Sequence, residues 1–230
     1  MNEPYENQLI GAFLFGLGQE IGRLDTKQVS ADFGVNLFQQ TPLDTSYGDL
    51  VVGSTCCFLI ELKRTKAQLA AERAKWSADA LTKLSASADF VRISRVGHVV
   101  VYGRASGNQV DLRGCTYPDV LGIGEQPDCD RYDACRIVTN LAHAHLGTRP
   151  MAGLTAQSMA QYLSVLRSIR RRGESKGSSD AETWLGVARR ANGLSLCTAS
   201  SLDHLMDRFP ARRHHVEHVR EADRDHGMGF

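Results

Sequence analysis

The stretch Tyr47–Arg64, "YGDLVVGSTCCFLIELKR", holds two short apolar runs, "DLVV" at 49–52 and "CFLIELK" at 57–63, on either side of "GST". Runs this short, rich in Val, Leu and Ile and bounded by turn residues, predict a β-hairpin. Alternate residues of a strand share a face, so Leu59, Glu61 and Lys63 point one way and Phe58, Ile60 and Leu62 the other. A hairpin centred on Thr55 pairs positions symmetrically about that residue and sets Asp49 opposite Glu61. Directly opposed side chains have Cβ atoms about 4.5–5.5 Å apart, close enough for two carboxylates to share one divalent cation.

Two carboxylates so placed repel each other unless a proton or cation intervenes, and Lys63 adds a positive charge on the same face. A hard ion such as Mg²⁺ takes oxygen ligands, keeps several waters and binds substrate phosphate. A lysine beside it can orient or deprotonate an attacking water and offset charge on a pentavalent phosphate. The constellation suits phosphodiester hydrolysis.

Outward from this hairpin, residues 4–22 predict a helix, with Pro4 in its first turn and apolar residues at 9, 10, 13, 14, 17 and 21. "ADFGVNLFQQT" (31–41) predicts a strand that ends before Pro42. "KAQLAAERAKWSADALTKLS" (66–85) is rich in Ala, Leu, Glu and Lys and predicts a helix, and "HVVVYGR" (98–104) predicts a further strand. The expected fold class is α/β, a central mixed sheet flanked by helices. Beyond Asp119 the pattern gives helices near 131–146, 155–172, 181–192 and 200–208, a mainly helical C-terminal part. The linker-like "RRGESKGSSD" (171–180) divides a core over 1–170 from a C-terminal region over 181–230.

"GDLVV…FLIELKR", with Asp49, eleven intervening residues and then Glu61-Leu62-Lys63, resembles the D…(D/E)xK signature of the PD-(D/E)XK, or restriction-endonuclease-like, nuclease superfamily. The order of helix, strands, helix and strand across 4–104 is similar to that family's common core. The resemblance implies a Mg²⁺-dependent deoxyribonuclease, with Mn²⁺ as a substitute, in which Asp49 and Glu61 are metal ligands and Lys63 is the catalytic lysine. Gly48 stands where the family name has proline, and the Gln-and-Tyr signature of recombination-type members is not evident: Gln68 has no tyrosine following it on the same helix.

Many members of that family also place a Glu on the first helix, where Glu3, Glu6 and Glu20 are candidates here. Strand direction favours the helix's N-terminal half. Glu6 shares a stripe with Ile10, Phe13, Leu14 and Leu17, a face expected to be buried, where an unpaired carboxylate would be costly. Glu6 is therefore the expected third carboxylate. Gln39 and Gln40, near the end of the first predicted strand, are further candidates for substrate contact.

In the C-terminal part, "VARRANGLSLCTASSLDHLM" (187–206) has the look of a helix-turn-helix, which would dock its second helix in a major groove. Lys and Arg cluster at 167, 170, 171, 172 and 176, so that Arg170, Arg171 and Arg172 are candidate phosphate contacts. A solvated helix end is the alternative.

The net charge of +1, from 27 basic and 26 acidic residues, assigns any nucleic-acid partner to a local patch rather than to the whole-protein field. The six cysteines, at 56, 57, 115, 129, 135 and 197, form no CxxC pair, which favours a reducing cytoplasm. A zinc site from Cys115, Cys129, Cys135 and His143 or His145 is conceivable, although the spacing matches no familiar finger. The apolar run at 9–18 is too short to span a bilayer and follows Glu3 and Glu6, so export and membrane residence are not expected. The expected partner is nucleic acid, with a homodimer or a partner protein in a larger complex also open. A ribonuclease, or a non-catalytic binding or assembly subunit, is the competing reading.

Overall fold

The computed structural model describes residues 4–25, 34–37, 50–53, 57–107, 109–123, 128–146, 153–170, 184–190, 193–199 and 204. Helix α1 (Glu6–Leu24) is followed by strands β1 (Gly34–Leu37), β2 (Leu50–Gly53) and β3 (Cys57–Lys63). A short 3₁₀ turn (Lys66–Gln68) leads into α2 (Leu69–Ala74), α3 (Ala78–Ala86) and α4 (Ala88–Gly97). Next come β4 (His98–Ser106), β5 (Gln109–Thr116), α5 (Tyr117–Leu121), β6 (Tyr132–Asp133), α6 (Ala134–His145) and α7 (Ala156–Arg170). Two further strands, β7 (Trp184–Arg190) and β8 (Gly193–Ala199), follow.

The first six strands form one sheet in sequence order. Its pairs are antiparallel except β3 with β4, which run parallel. The chain is thus α/β, with a mixed sheet flanked by helices. The parallel pair needs a crossover, and α2, α3 and α4 make it. The hairpin register is Leu50 opposite Ile60, Val51 opposite Leu59 and Val52 opposite Phe58, symmetric about Thr55 as the sequence predicts.

Strand β3 is buried over six consecutive residues because helices cover both faces. Phe58, Ile60 and Leu62 meet Leu9, Ile10, Phe13 and Leu17 of α1 and Ile137 and Leu141 of α6. Leu59, with Val100 and Tyr102 of β4, meets Leu69, Trp76, Leu84 and Phe90 from the crossover and Met159, Leu163 and Leu166 of α7. The period of two in β3 and the apolar stripe of α1 are the same fact seen from two elements. Among the described residues no helix is long and apolar enough to cross a membrane.

Three expectations need correction. The single helix over 66–85 is broken at Trp76, which turns into the core and donates from Nε1 to Tyr117 Oη at 3.0 Å. Ser77 then caps a new helix by accepting from the Ala80 N–H at 3.2 Å. Helix α4 and strand β5 join the predicted set; β4 turns into β5 at Gly107, whose φ of 59° suits a two-residue hairpin turn. The helix over 181–192 and the helix-turn-helix over 187–206 are replaced by the β7–β8 hairpin, in which Val187 pairs with Leu196 and Arg190 with Gly193. Arg190 and Gly193 are the innermost pair, so two residues join the runs, and cross-strand pairing outweighs the helical pattern. Over its described residues, apart from His204, the region 181–230 is therefore strand rather than helix, whereas α6 and α7 are helical as expected, and β7 lies beside β1. The linker 171–180, the tail and, apart from His204, the helix predicted at 200–208 lie outside the described residues.

Candidate active site

Glu61 and Lys63 lie at the C-terminal end of β3, on the face that also carries Leu59. Glu61 is 2% exposed, and Lys63 Nζ pairs directly with its Oε1. A carboxylate taken out of water this far is costly unless a cation or donor meets it.

Helix α1 brings Glu6 to the same ammonium, with Lys63 Nζ 3.8 Å from Glu6 Oε1. Several contacts fix the start of α1 against the end of β3. Arg64 Nε donates to the Pro4 carbonyl at 3.1 Å, and its guanidinium lies 5.4 Å from the centroid of the Tyr5 ring. The Tyr5 N–H donates to Gln8 Oε1 at 2.8 Å, and the Arg64 N–H donates to Gln68 Oε1 at 2.8 Å. Glu20, the rival on α1, lies away from the site. It accepts from Arg23 Nε at 2.8 Å and from Thr139 Oγ1 of α6 at 2.9 Å, and these bonds, Arg23's first, hold its carboxyl down to about 2.

Two residues that the sequence reading missed complete the cluster. Glu72 of α2 is fully buried and accepts from Tyr117 Oη at 2.8 Å. Its Oε2 lies 3.8 Å from Lys63 Nζ and 2.5 Å from Lys75 Nζ, and Lys75 Nζ is also 3.6 Å from Glu61 Oε1. The signal was present: Leu69, Glu72 and Trp76 fall on one helical stripe, and an acid on an apolar stripe marks a built site.

The turn after β3 is pinned separately. Lys66 pairs with Asp130, which also accepts from Tyr102 Oη, and Tyr102 donates to the Cys129 carbonyl at 3.0 Å. Lys66, then Tyr102, holds the Asp130 carboxyl below its usual range, and Asp130 in turn raises Lys66.

Of the other expected residues, Asp49 lies outside the described residues; the β2–β3 ladder is described up to Leu50 opposite Ile60. Glu3, Gln39, Gln40, Arg171 and Arg172 also lie outside, and Arg170 is the last residue of α7. Among the described residues no group of three or more His, Cys, Asp or Glu side chains is arranged to hold a metal ion. The zinc grouping is therefore not assembled: the Cys115 and Cys129 thiols meet, with Cys115 pushed up by burial, while Cys135 is exposed at the start of α6. Glu6 and Glu61 both offer carboxylate oxygens to the Lys63 ammonium. Comparison of the chain with protein-family models, curated proteins and solved structures finds no match.

Proposed function

We propose that the chain is a metal-dependent endonuclease of the PD-(D/E)XK kind that hydrolyses phosphodiester bonds of DNA. The observation that carries this reading is the convergence of Glu61, Lys63 and Glu6, from two elements far apart in sequence, at the end of a buried strand. The order helix, three strands, helical crossover and parallel strand supports it, being the order expected of that core.

In this reading Asp49 joins Glu61 and Glu6 in holding Mg²⁺, for which Mn²⁺ substitutes. When bound, the ion supplies positive charge against the charge that develops on the phosphate. Lys63 orients the attacking water and offsets charge on the non-bridging oxygens. The Glu61 carboxylate keeps the Lys63 ammonium at the strand end, and Arg170, Arg171 and Arg172 are proposed contacts to backbone phosphates.

The test is incubation of the purified protein with supercoiled DNA, linear DNA and RNA in Mg²⁺, Mn²⁺ or chelator. Divalent-dependent nicking or linearisation of DNA is expected. Cleavage of RNA alone would make it a ribonuclease, and binding without cleavage of any substrate would make it a non-catalytic subunit.

A further inference from the structure

We propose that Lys75 is a second cation of this site, a contact for the phosphate backbone of the substrate, and that Glu72 is the residue that positions it. The proposal rests on the nuclease reading for what the substrate is.

A Glu and a Lys three apart on a helix surface stabilise it by about 0.2–0.5 kcal/mol, and such a pair needs no burial. Glu72 is instead fully buried, and the fold provides for it. Tyr117 Oη donates to Glu72 Oε1 at 2.8 Å and receives the Trp76 Nε1–H at 3.0 Å. The Tyr117 ring is stacked on that of His98, with centroids 3.9 Å apart and planes 12° from parallel, and His98 Nδ1 is 2.8 Å from Tyr162 Oη. One carboxylate orientation is thus fixed by Trp76, just after α2, and by side chains from β4, α5 and α7, which leaves Glu72 Oε2 aimed at the two lysines.

The lysines differ in depth. Lys63 is 14% exposed and Lys75 is 42% exposed, yet both ammoniums contact the same atoms, Glu61 Oε1 and Glu72 Oε2. Two cations are held together by shared carboxylates, with Lys75 on the solvent side. An anionic backbone entering the site meets Lys75 first and Lys63 at the reacting group. Lys75 therefore contributes to substrate capture and Lys63 to turnover, and Glu72 acts through Lys75.

The experiment measures fluorescence anisotropy of a short labelled DNA duplex in chelator, across a salt series, with kinetics in Mn²⁺ alongside. Lys75→Ala, at a half-exposed position, should weaken binding about tenfold and lower the slope of log affinity against log salt by about one. Lys75→Arg should recover most of the binding. Glu72→Gln and Tyr117→Phe should weaken binding in the same direction, by about threefold, with circular dichroism checking the fold. In Mn²⁺ the Lys75→Ala loss should fall on KM, whereas the Lys63→Ala loss should fall on kcat. Wild-type affinity and salt slope in Lys75→Ala would overturn the proposal, as would a wild-type protein that binds no nucleic acid. Binding that Lys75→Ala weakens, in a protein that cleaves nothing, supports the Lys75 contact while removing the hydrolytic reading.

Discussion

At the scale of the residue, Lys63 stands between three carboxylates, those of Glu6, Glu61 and Glu72. Its loss should do more than stop chemistry, because it leaves like charges facing one another with less compensation. Lys63→Ala is predicted to lose about 2–4 kcal/mol of stability in chelator, read as a lower Tm. Mn²⁺ should restore part of that Tm without restoring cleavage; a variant as stable as wild type in chelator would contradict the shared-cation geometry. A second residue sets a pH window. Burial lowers His145 to about 4 from its usual 6.5, so between these values the unfolded chain binds the proton that the folded chain refuses. Stability is therefore full above about pH 6.5 and is lost as pH falls toward 4, by up to about 3 kcal/mol. Urea titrations of wild type and His145→Leu should differ in slope against pH only within that window. Glu6, Glu61 and Lys63 were legible because each ends a periodic apolar run. Glu72 left a local trace, an acid on the stripe of Leu69 and Trp76, but its partner Tyr117 is 45 residues away in sequence and no local pattern names it.

At the scale of the element, the end of β3 is held by the close approach of its parallel neighbour. Lys63 pairs with Tyr102 of β4, and a Cβ on the next residue, Gly103, would lie 2.7 Å from the Arg64 carbonyl oxygen. That atom is backbone and cannot swing aside. Gly103→Ala is predicted to cost about 1–3 kcal/mol and to lower cleavage, since relief moves the strand end that carries Lys63. Gly18→Ala on α1, where a Cβ would meet nothing within 4 Å, should instead gain up to about 1 kcal/mol. Equal stabilities of the two variants by urea unfolding would show that β4 does not brace the site. The hairpin register was readable because Thr55 sits midway between two apolar runs of strand length. The break at Trp76 was not, since the Ala, Leu, Glu and Lys content of 66–85 favours helix throughout and the competing force is burial of an indole against Tyr117. The C-terminal correction has the same form: Ala, Arg and Leu in 184–199 fit a helix locally, while cross-strand pairing decides for strands.

At the scale of the whole molecule, the sheet separates two apolar layers, α1 and α6 on one face and the crossover helices with α7 on the other. The candidate site lies where the two layers meet at the end of β3. Glu6 comes from one layer, Glu72 and Lys75 from the other, and Glu61 and Lys63 from the strand between them. The layers explain why a chain with near-balanced charge gathers so many ionised groups at one sheet end: the strand interior has no room for them, and the end has access to water. The α/β class followed from the alternation of periods along 4–104, whereas the meeting of layers depended on packing that no local pattern encodes. The central claim is that this end of the sheet hydrolyses phosphodiesters with Lys63 and the carboxylates Asp49, Glu61 and Glu6. Its most direct test is the initial rate of supercoiled-plasmid relaxation in Mn²⁺ by wild type, Asp49→Asn and Lys63→Ala at equal folded concentration. The account predicts activity in wild type that chelator abolishes, and rates at least about a hundredfold lower in both variants; relaxation by Lys63→Ala at the wild-type rate would contradict it.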